Sequence, residues 1–247
     1  MGITTAQQDG ILHIQFDRPE KKNAITHAMY TVINEALAAA EEDDAIRVIL
    51  FTGNEAGFTA GNDLFDFMQS PPQDENSPVF IFLLSISQAT KPLVAAVNGS
   101  AVGVGTTMLL HCDLVYAAEN ARFQLPFVNL GLVPEAASSL LLPRIMGHAR
   151  AADLLMLGEP FDAQRAHELG LLTAVCPPEG LDATAWQAAR NLASKPPEAL
   201  RLTKRLMKQH EAARVQEAIH AEATVFLDRL SSAELAEAVQ AFFNRRA

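Results

Sequence analysis

Cysteine is almost missing from this chain. Cys112 and Cys176 are the only two in 247 residues. They are too few for a disulfide framework, and each sits in an apolar segment that suits a small buried thiol. Positive charge is scarce too: 19 Lys and Arg stand against 29 Asp and Glu, for a formal net charge of -10 and a pI near 5.1. A nucleic-acid surface needs clustered Lys and Arg, so the charge argues against that partner, while a small anionic ligand met by a few local cations stays open. No apolar run is long enough to span a bilayer. Met1-Gly2-Ile3-Thr4-Thr5-Ala6 has no basic stretch followed by an apolar one, and Ala6 stands where a myristoylation signal has Ser or Thr. These absences point to a reducing, cytoplasmic setting with no membrane partner.

Several chemical signatures are missing as well. There is no Gly-Lys-Ser/Thr phosphate loop and no Gly-x-Ser-x-Gly elbow. The seven histidines are scattered without ligand spacing, so no metal site is expected. Gly103-Val104-Gly105-Thr106-Thr107-Met108 follows an apolar run, but Met108 occupies the place where a dinucleotide fingerprint needs Gly or Ala. What the chain does have is apolar bulk. At 49% hydrophobic residues it can bury a full core, as one large domain or one domain with a helical appendage.

Read in order, Ile11 to Phe16 alternates apolar and polar residues, the period of a half-buried strand. Thr26 is a good N-cap for a helix running to about Asp43, with Met29, Ile33, Ala36, Leu37 and Ala40 on its core face. Arg47 to Phe51 and Leu93 to Val97 read as strands buried on both faces. Each runs into a Gly-rich turn: Gly57-Phe58-Thr59-Ala60-Gly61-Asn62-Asp63-Leu64 after the first, Asn98 to Thr107 after the second. Gln69 to Pro78, polar and proline-rich, reads as a loop or lid, and Val79 to Ile86 as a helix. Further strands are expected at Leu114 to Ala118 and around Phe123, and a helix from Ala136 to Met146. From Ala149 onward the pattern is mostly helical.

The octet at Gly57 carries the most chemistry. Small residues and Gly61 let backbone approach a ligand, and free N–H groups at a helix start attract negative charge. Such a turn supplies half of an oxyanion hole. On its own it is equally an ordinary Gly-containing loop.

Taken together, Asn23-Ala24, Phe58 to Leu64, Lys91-Pro92 through Gly105, Cys112-Asp113 and Asn129 to Pro134 resemble the crotonase (enoyl-CoA hydratase/isomerase) family, in the family's order. The resemblance covers roughly the first 175 residues well and the helical C-terminal part more loosely. It implies an α/β fold, a spiral of ββα units with a C-terminal helical region. The core would span residues 1–195 and the trimerisation region 196–247. It also implies an acyl-CoA substrate, no cofactor beyond that CoA, and a homotrimer or dimer of trimers. The oxyanion hole would be the backbone N–H groups of Asn62 and Val104, with Ala60, Gly61, Asp63, Leu64, Gly103, Phe127 and Lys22 around the substrate.

The sequence departs from the family's hydratases. They use two Glu to activate a water, and Thr107 and Phe127 occupy the matching positions here. Glu135, directly after Pro134, is a carboxylate where hydratases usually carry Gly. With Gly61 to Leu64 it resembles the Δ3,Δ2-enoyl-CoA isomerase branch, in which one Glu at this position is the base. A bland reading makes Glu135 a cap on the helix expected at Ala136. Asp63 reads as the cap of the helix at Leu64. Lys22, Lys91 and Arg245 are candidates for CoA phosphates, Phe65, Phe67, Met68, Phe80 and Phe82 for an acyl channel, and Phe242 and Phe243 for closing a neighbour's site. The alternatives are hydration, a dehalogenase-like use of Glu135 with Trp186 far from the motif, and a non-catalytic acyl-CoA-binding or RNA-binding relative.

Overall fold

The structure is a computed structural model and describes residues 2–244, with side chains through Ala241. Strands β1 (Ile3–Gln8) and β2 (Ile11–Phe16) form an antiparallel hairpin turned by Asp9 and Gly10. Helix α1 (His27–Glu42) follows, its first turn capped by the Thr26 hydroxyl, which accepts from the Met29 N–H at 3.3 Å. Strands β3 (Val48–Thr52) and β4 (Leu93–Val97) are separated by α2 (Leu64–Gln69) and α3 (Pro78–Gln88). A short strand β5 (Ser100–Val102) then leads to α4 (Val104–Thr107) and a 3-10 turn, Met108–His111. Next come β6 (Leu114–Ala118), β7 (Arg122–Gln124), α5 (Ser138–Met146), α6 (His148–Ala152), which continues into a π turn, and β8 (Phe161–Asp162). The chain closes with α7 (Ala163–Glu168), β9 (Ala174–Cys176) and four helices: α8 (Leu181–Ala193), α9 (Pro197–Lys208), α10 (Ala212–Arg229) and α11 (Ala233–Asn244).

Six strands form one sheet in the order β1-β2-β3-β4-β6-β9, parallel from β2 onward. A second sheet, β5-β7-β8, stands beside it. Every residue of β3 and β4 is buried, because helices cover both faces. On one face lie α1, α3 and α10, whose Ile33, Phe82 and Phe226 share a cluster with Phe16, Phe51 and Val97. On the other, α8 lays Leu181, Ala185 and Ala189 over Ile11, Leu50 and Val94, with Trp186 edge-on to His13. Among the described residues no helix is long and apolar enough to cross a membrane.

The observed α/β spiral is the fold expected from the sequence, and its differences are local. Strand β1 escaped notice because only Ile3 of its six residues is buried, so the edge strand has no apolar alternation. Strands β5, β8 and β9 are three residues or fewer, too short for periodicity to register. The helix expected at Ala136 begins at Ser138 instead, because Ala136 and Ala137 adopt left-handed backbone, at φ 60° and 56°. The loop between α2 and α3 is residues 70–77, tied at its end by the Ser77 hydroxyl, which accepts from the N–H of Gln73 at 3.0 Å.

Candidate functional site

The two Gly-rich turns lie against each other. Thr59 pairs with Ala101 as an extra strand of the small sheet: its N–H donates to Ser100 O at 2.9 Å and its carbonyl accepts from Val102 N at 3.1 Å. On its other side the first turn pairs with residues 22–25. Ala60 N donates to Lys22 O, Ile25 N to Gly61 O and Asp63 N to Ile25 O, at 2.8 to 3.0 Å. Buried Asn23 closes the turn from within, its amide donating to the carbonyls of Gly57 and Phe58. Two glycines permit the approach. A Cβ on Gly61, whose φ is +83°, would sit 2.6 Å from Val102 O, and one on Gly105 would sit 2.5 Å from the Thr59 methyl.

This packing leaves two main-chain donors without a partner beside one cleft. The N–H groups of Asn62 and Val104 make no hydrogen bond among the described residues, and both residues line a cleft of about 860 Å³. Ala60, Gly61, Asp63, Leu64, Gly103, Phe127 and Lys22 line the same cleft. So do Leu132, Phe226 of α10 and Ala238 and Ala241 of α11, which close one side with apolar surface. Sequence reasoning offered Phe242 and Phe243 of the last helix for a neighbour's site but missed Phe226, Ala238 and Ala241, because nothing local distinguishes them from core.

Two side chains fix the first turn's exit. Asp63 caps α2, its Oδ1 accepting from Phe65 N at 3.0 Å and Asp66 N at 3.3 Å, while its Oδ2 accepts from Arg18 at 2.7 Å. Burial pushes this carboxyl up, but the Arg18 hydrogen bond and charge and the capped N–H groups outweigh it and hold it below the usual range. Tyr30 of α1 donates its hydroxyl to Asn62 Oδ1 at 2.5 Å. Burial, and the nearby Glu135, raise the Tyr30 phenol well above its ordinary value, so it stays a donor.

Glu135 does not line the cleft. It is only 3% exposed and accepts from the Thr107 hydroxyl at 3.2 Å. It therefore touches the short helix that begins at Val104. Burial pushes its carboxyl up to about 8, the Thr107 hydrogen bond lowers it, and the charge of Glu222 raises it. The turn after it is held from two directions. His111 Nε2 meets Ala136 O at 2.8 Å, and Glu222 of α10 accepts from Ala137 N at 2.6 Å and from Ser139 N at 3.0 Å.

Other expected contacts fall elsewhere. Lys91 bonds the carbonyls of Ala40 and Asp43 at the end of α1, so it is a helix C-cap and not a cleft cation. Phe65 and Phe67 line the cleft, whereas Met68 is 56% exposed outside it. Phe80 and Phe82 are core, the latter packed on Tyr30 with ring centroids 5.4 Å apart. Arg245 and the side chains of Phe242 and Phe243 lie outside the described residues.

Comparison with known proteins places the chain in one family. The family model described as enoyl-CoA hydratase/isomerase matches residues 6–247. Human enoyl-CoA delta isomerase 2 is 38% identical over 99% of this chain, which spans 64% of that protein's length. The 1,2-epoxyphenylacetyl-CoA isomerase of Escherichia coli K12 is 36% identical over 99% of this chain and 96% of its own. The crystal structure of an enoyl-CoA hydratase/isomerase from Pseudoalteromonas atlantica T6c superimposes with a TM-score of 0.95. It is 42% identical, over 100% of this chain and 98% of that one.

Proposed function

The chain belongs to the enoyl-CoA hydratase/isomerase family, and we propose that within it this protein is a Δ3,Δ2-enoyl-CoA isomerase with Glu135 as its single base. One observation carries the reading: Glu135 is bonded through Thr107 to the helix that begins at Val104, whereas the carboxylates lining the cleft itself, Glu20 and Asp63, both face Arg18. The positions matching a hydratase's acids hold Thr107 and Phe127. The nearby Glu222 is already occupied by Ala137 and Ser139. A double-bond shift needs one proton carrier, whereas hydration needs a held and activated water.

In this mechanism the side chain of ionised Glu135 turns from the Thr107 hydroxyl into the cleft and removes a proton from C2 of a 3-enoyl-CoA. The electron pair moves into the thioester, and the resulting dienolate oxygen is received by the N–H groups of Asn62 and Val104. Preorganised donors of this kind contribute roughly 3 to 4 kcal/mol each to the transition state. Glu135, now protonated, returns the proton at C4, which leaves the 2-trans-enoyl thioester. The burial of Glu135 supports this shuttle, because a carboxyl screened from water exchanges its proton slowly with solvent. Burial also raises its proton affinity towards the range useful to a general base. The names of the human and E. coli relatives, both isomerases of CoA thioesters, support isomerisation, and a 2,3-dehydroadipyl-CoA hydratase of E. coli at 33% identity keeps hydration as the second arm of the test.

The same reading carries the substrate's CoA as the only cofactor and a cytoplasmic setting. It also carries a homotrimer or dimer of trimers, for which exposed Met156, Leu157, Leu206 and Met207 offer apolar surface. The test follows conjugation of trans-3-hexenoyl-CoA by ultraviolet absorbance, beside hydration of crotonyl-CoA. Conjugation is expected to dominate and to fall by roughly 10²- to 10⁴-fold in Glu135→Gln. Conjugation unchanged in that variant, or hydration the faster reaction, would sink the proposal.

A further inference from the structure

The clamp on the turn that carries Glu135 is built in an unusual way. Helix α5 begins with Ala137 at its N-cap, where no side chain accepts from the first turn. Helices ordinarily place Ser, Thr, Asp or Asn there. Here the acceptor comes from α10, far away in sequence: Glu222 takes Ala137 N at 2.6 Å, Ser139 N at 3.0 Å and the Ser139 hydroxyl at 2.5 Å. A polar residue at position 137 would cap α5 without burying a carboxylate. The remote acid also holds a strained segment, since Ala136 and Ala137 both have positive φ directly after Glu135. Side chains with a Cβ disfavour that region, so it persists only where surrounding contacts impose it.

We infer that Glu222 is a positioning residue for Glu135, fixing the left-handed turn that aims the carboxyl and placing a fixed negative charge behind it. The inference rests on Glu135 being the base. Burial raises the Glu222 carboxyl above its ordinary range, against the lowering by the donors of Ser139 and Ala137, and its charge when ionised adds to burial in holding the proton on Glu135. The other titratable groups around Glu135 are Tyr30 of α1, which burial keeps neutral, and His111 after α4, which burial lowers to about 4. Among the elements packed on α10, α3 carries no charged residue, and Arg144 of α5 is engaged by Glu211. Glu222 is therefore the charge that tunes the base. It stands one helical turn from Phe226 in the cleft wall, so α10 joins the acyl side of the cleft to the base.

The experiment compares Glu222→Gln with wild type and Glu135→Gln in the 3-hexenoyl-CoA assay, over pH 5 to 9.5. The amide keeps one acceptor and turns an NH2 towards the other donors, and the charge is gone. We expect kcat to fall about tenfold with KM little changed, and the ascending limb of the kcat profile to move to lower pH by ~0.5 unit or more. A limb that stays in place, with Glu135→Gln inactive, marks Glu222 as an ordinary helix cap and overturns the inference. Activity retained by Glu135→Gln instead removes the base itself, and the inference falls with it. Should Glu222→Gln not fold, Ser139→Ala removes one of the three donors. Its kcat should fall about threefold at unchanged KM, and an unchanged kcat overturns the inference.

Discussion

Glu135→Gln should make the protein more stable, and only at high pH. In the folded chain burial moves this carboxyl from its ordinary 4.5 to about 8. The folded protein thus keeps the proton to higher pH than the unfolded chain, so stability is complete below about pH 4.5 and drains away as pH rises through 8. Over about 3.5 pH units, at ~1.4 kcal/mol each, the loss is on the order of 5 kcal/mol. Glutamine has nearly the same shape, can still meet the Thr107 hydroxyl and never ionises. For a domain of this size one kcal/mol corresponds to about 2–4 °C, so the variant should melt roughly 10–20 °C above wild type at pH 9 and within a few degrees of it at pH 5. Thermal melts by circular dichroism at the two pH values decide the matter. Comparing the two proteins at each pH cancels every other titrating group, Glu222 excepted, which is relieved of a like charge in the same direction. If the difference between the proteins is the same at both pH values, the carboxyl is not held protonated by its burial, and the account of its basicity fails.

Two further outcomes follow from contacts around the cleft. Thr107→Val deletes the one hydrogen bond that lowers the Glu135 carboxyl, so the ascending limb of the pH–rate profile should move to higher pH, and a limb shifted the other way or not at all counts against that bond. Gly105→Ala would press a methyl to 2.5 Å from Thr59 Cγ2 and drive the two turns apart; a stability loss of ~1–3 kcal/mol together with a lower kcat is expected, and unchanged melting and turnover would refute the close packing.

Much of the architecture was legible because long elements announce themselves. The run Leu93 to Val97 between Pro92 and Gly99 read as a doubly covered strand, and it is one. The start of α5 was not, since nothing local shows that two alanines take left-handed backbone; that conformation is imposed by Glu222 and His111 from elsewhere in the chain. The same limit governs the cleft. Its backbone side was readable from the small residues of two Gly-rich turns, whose job is close approach. Its far wall, Phe226 with Ala238 and Ala241, is assembled by tertiary packing of helices whose amphipathic pattern suits any core. Lys91 shows the converse: a lone cation before a proline suggests a phosphate contact, but the end of α1 lies close enough to use it first.

Both unpartnered donors beside the cleft belong to the main chain, in turns held by the pairing of Thr59 with Ala101 and of Ile25 with Asn62. No exchange of a side chain at position 62 or 104 other than for proline deletes an amide proton. A survey by alanine substitution would therefore pass over the two groups proposed to meet the developing charge, and would report only the acids and hydroxyls around them. It also means that the side chains at 107, 127 and 135 can change while these two amides stay in place. Under the proposed function, such a framework would keep its grip on a thioester oxygen while the fate of the bound anion is rewritten one residue at a time.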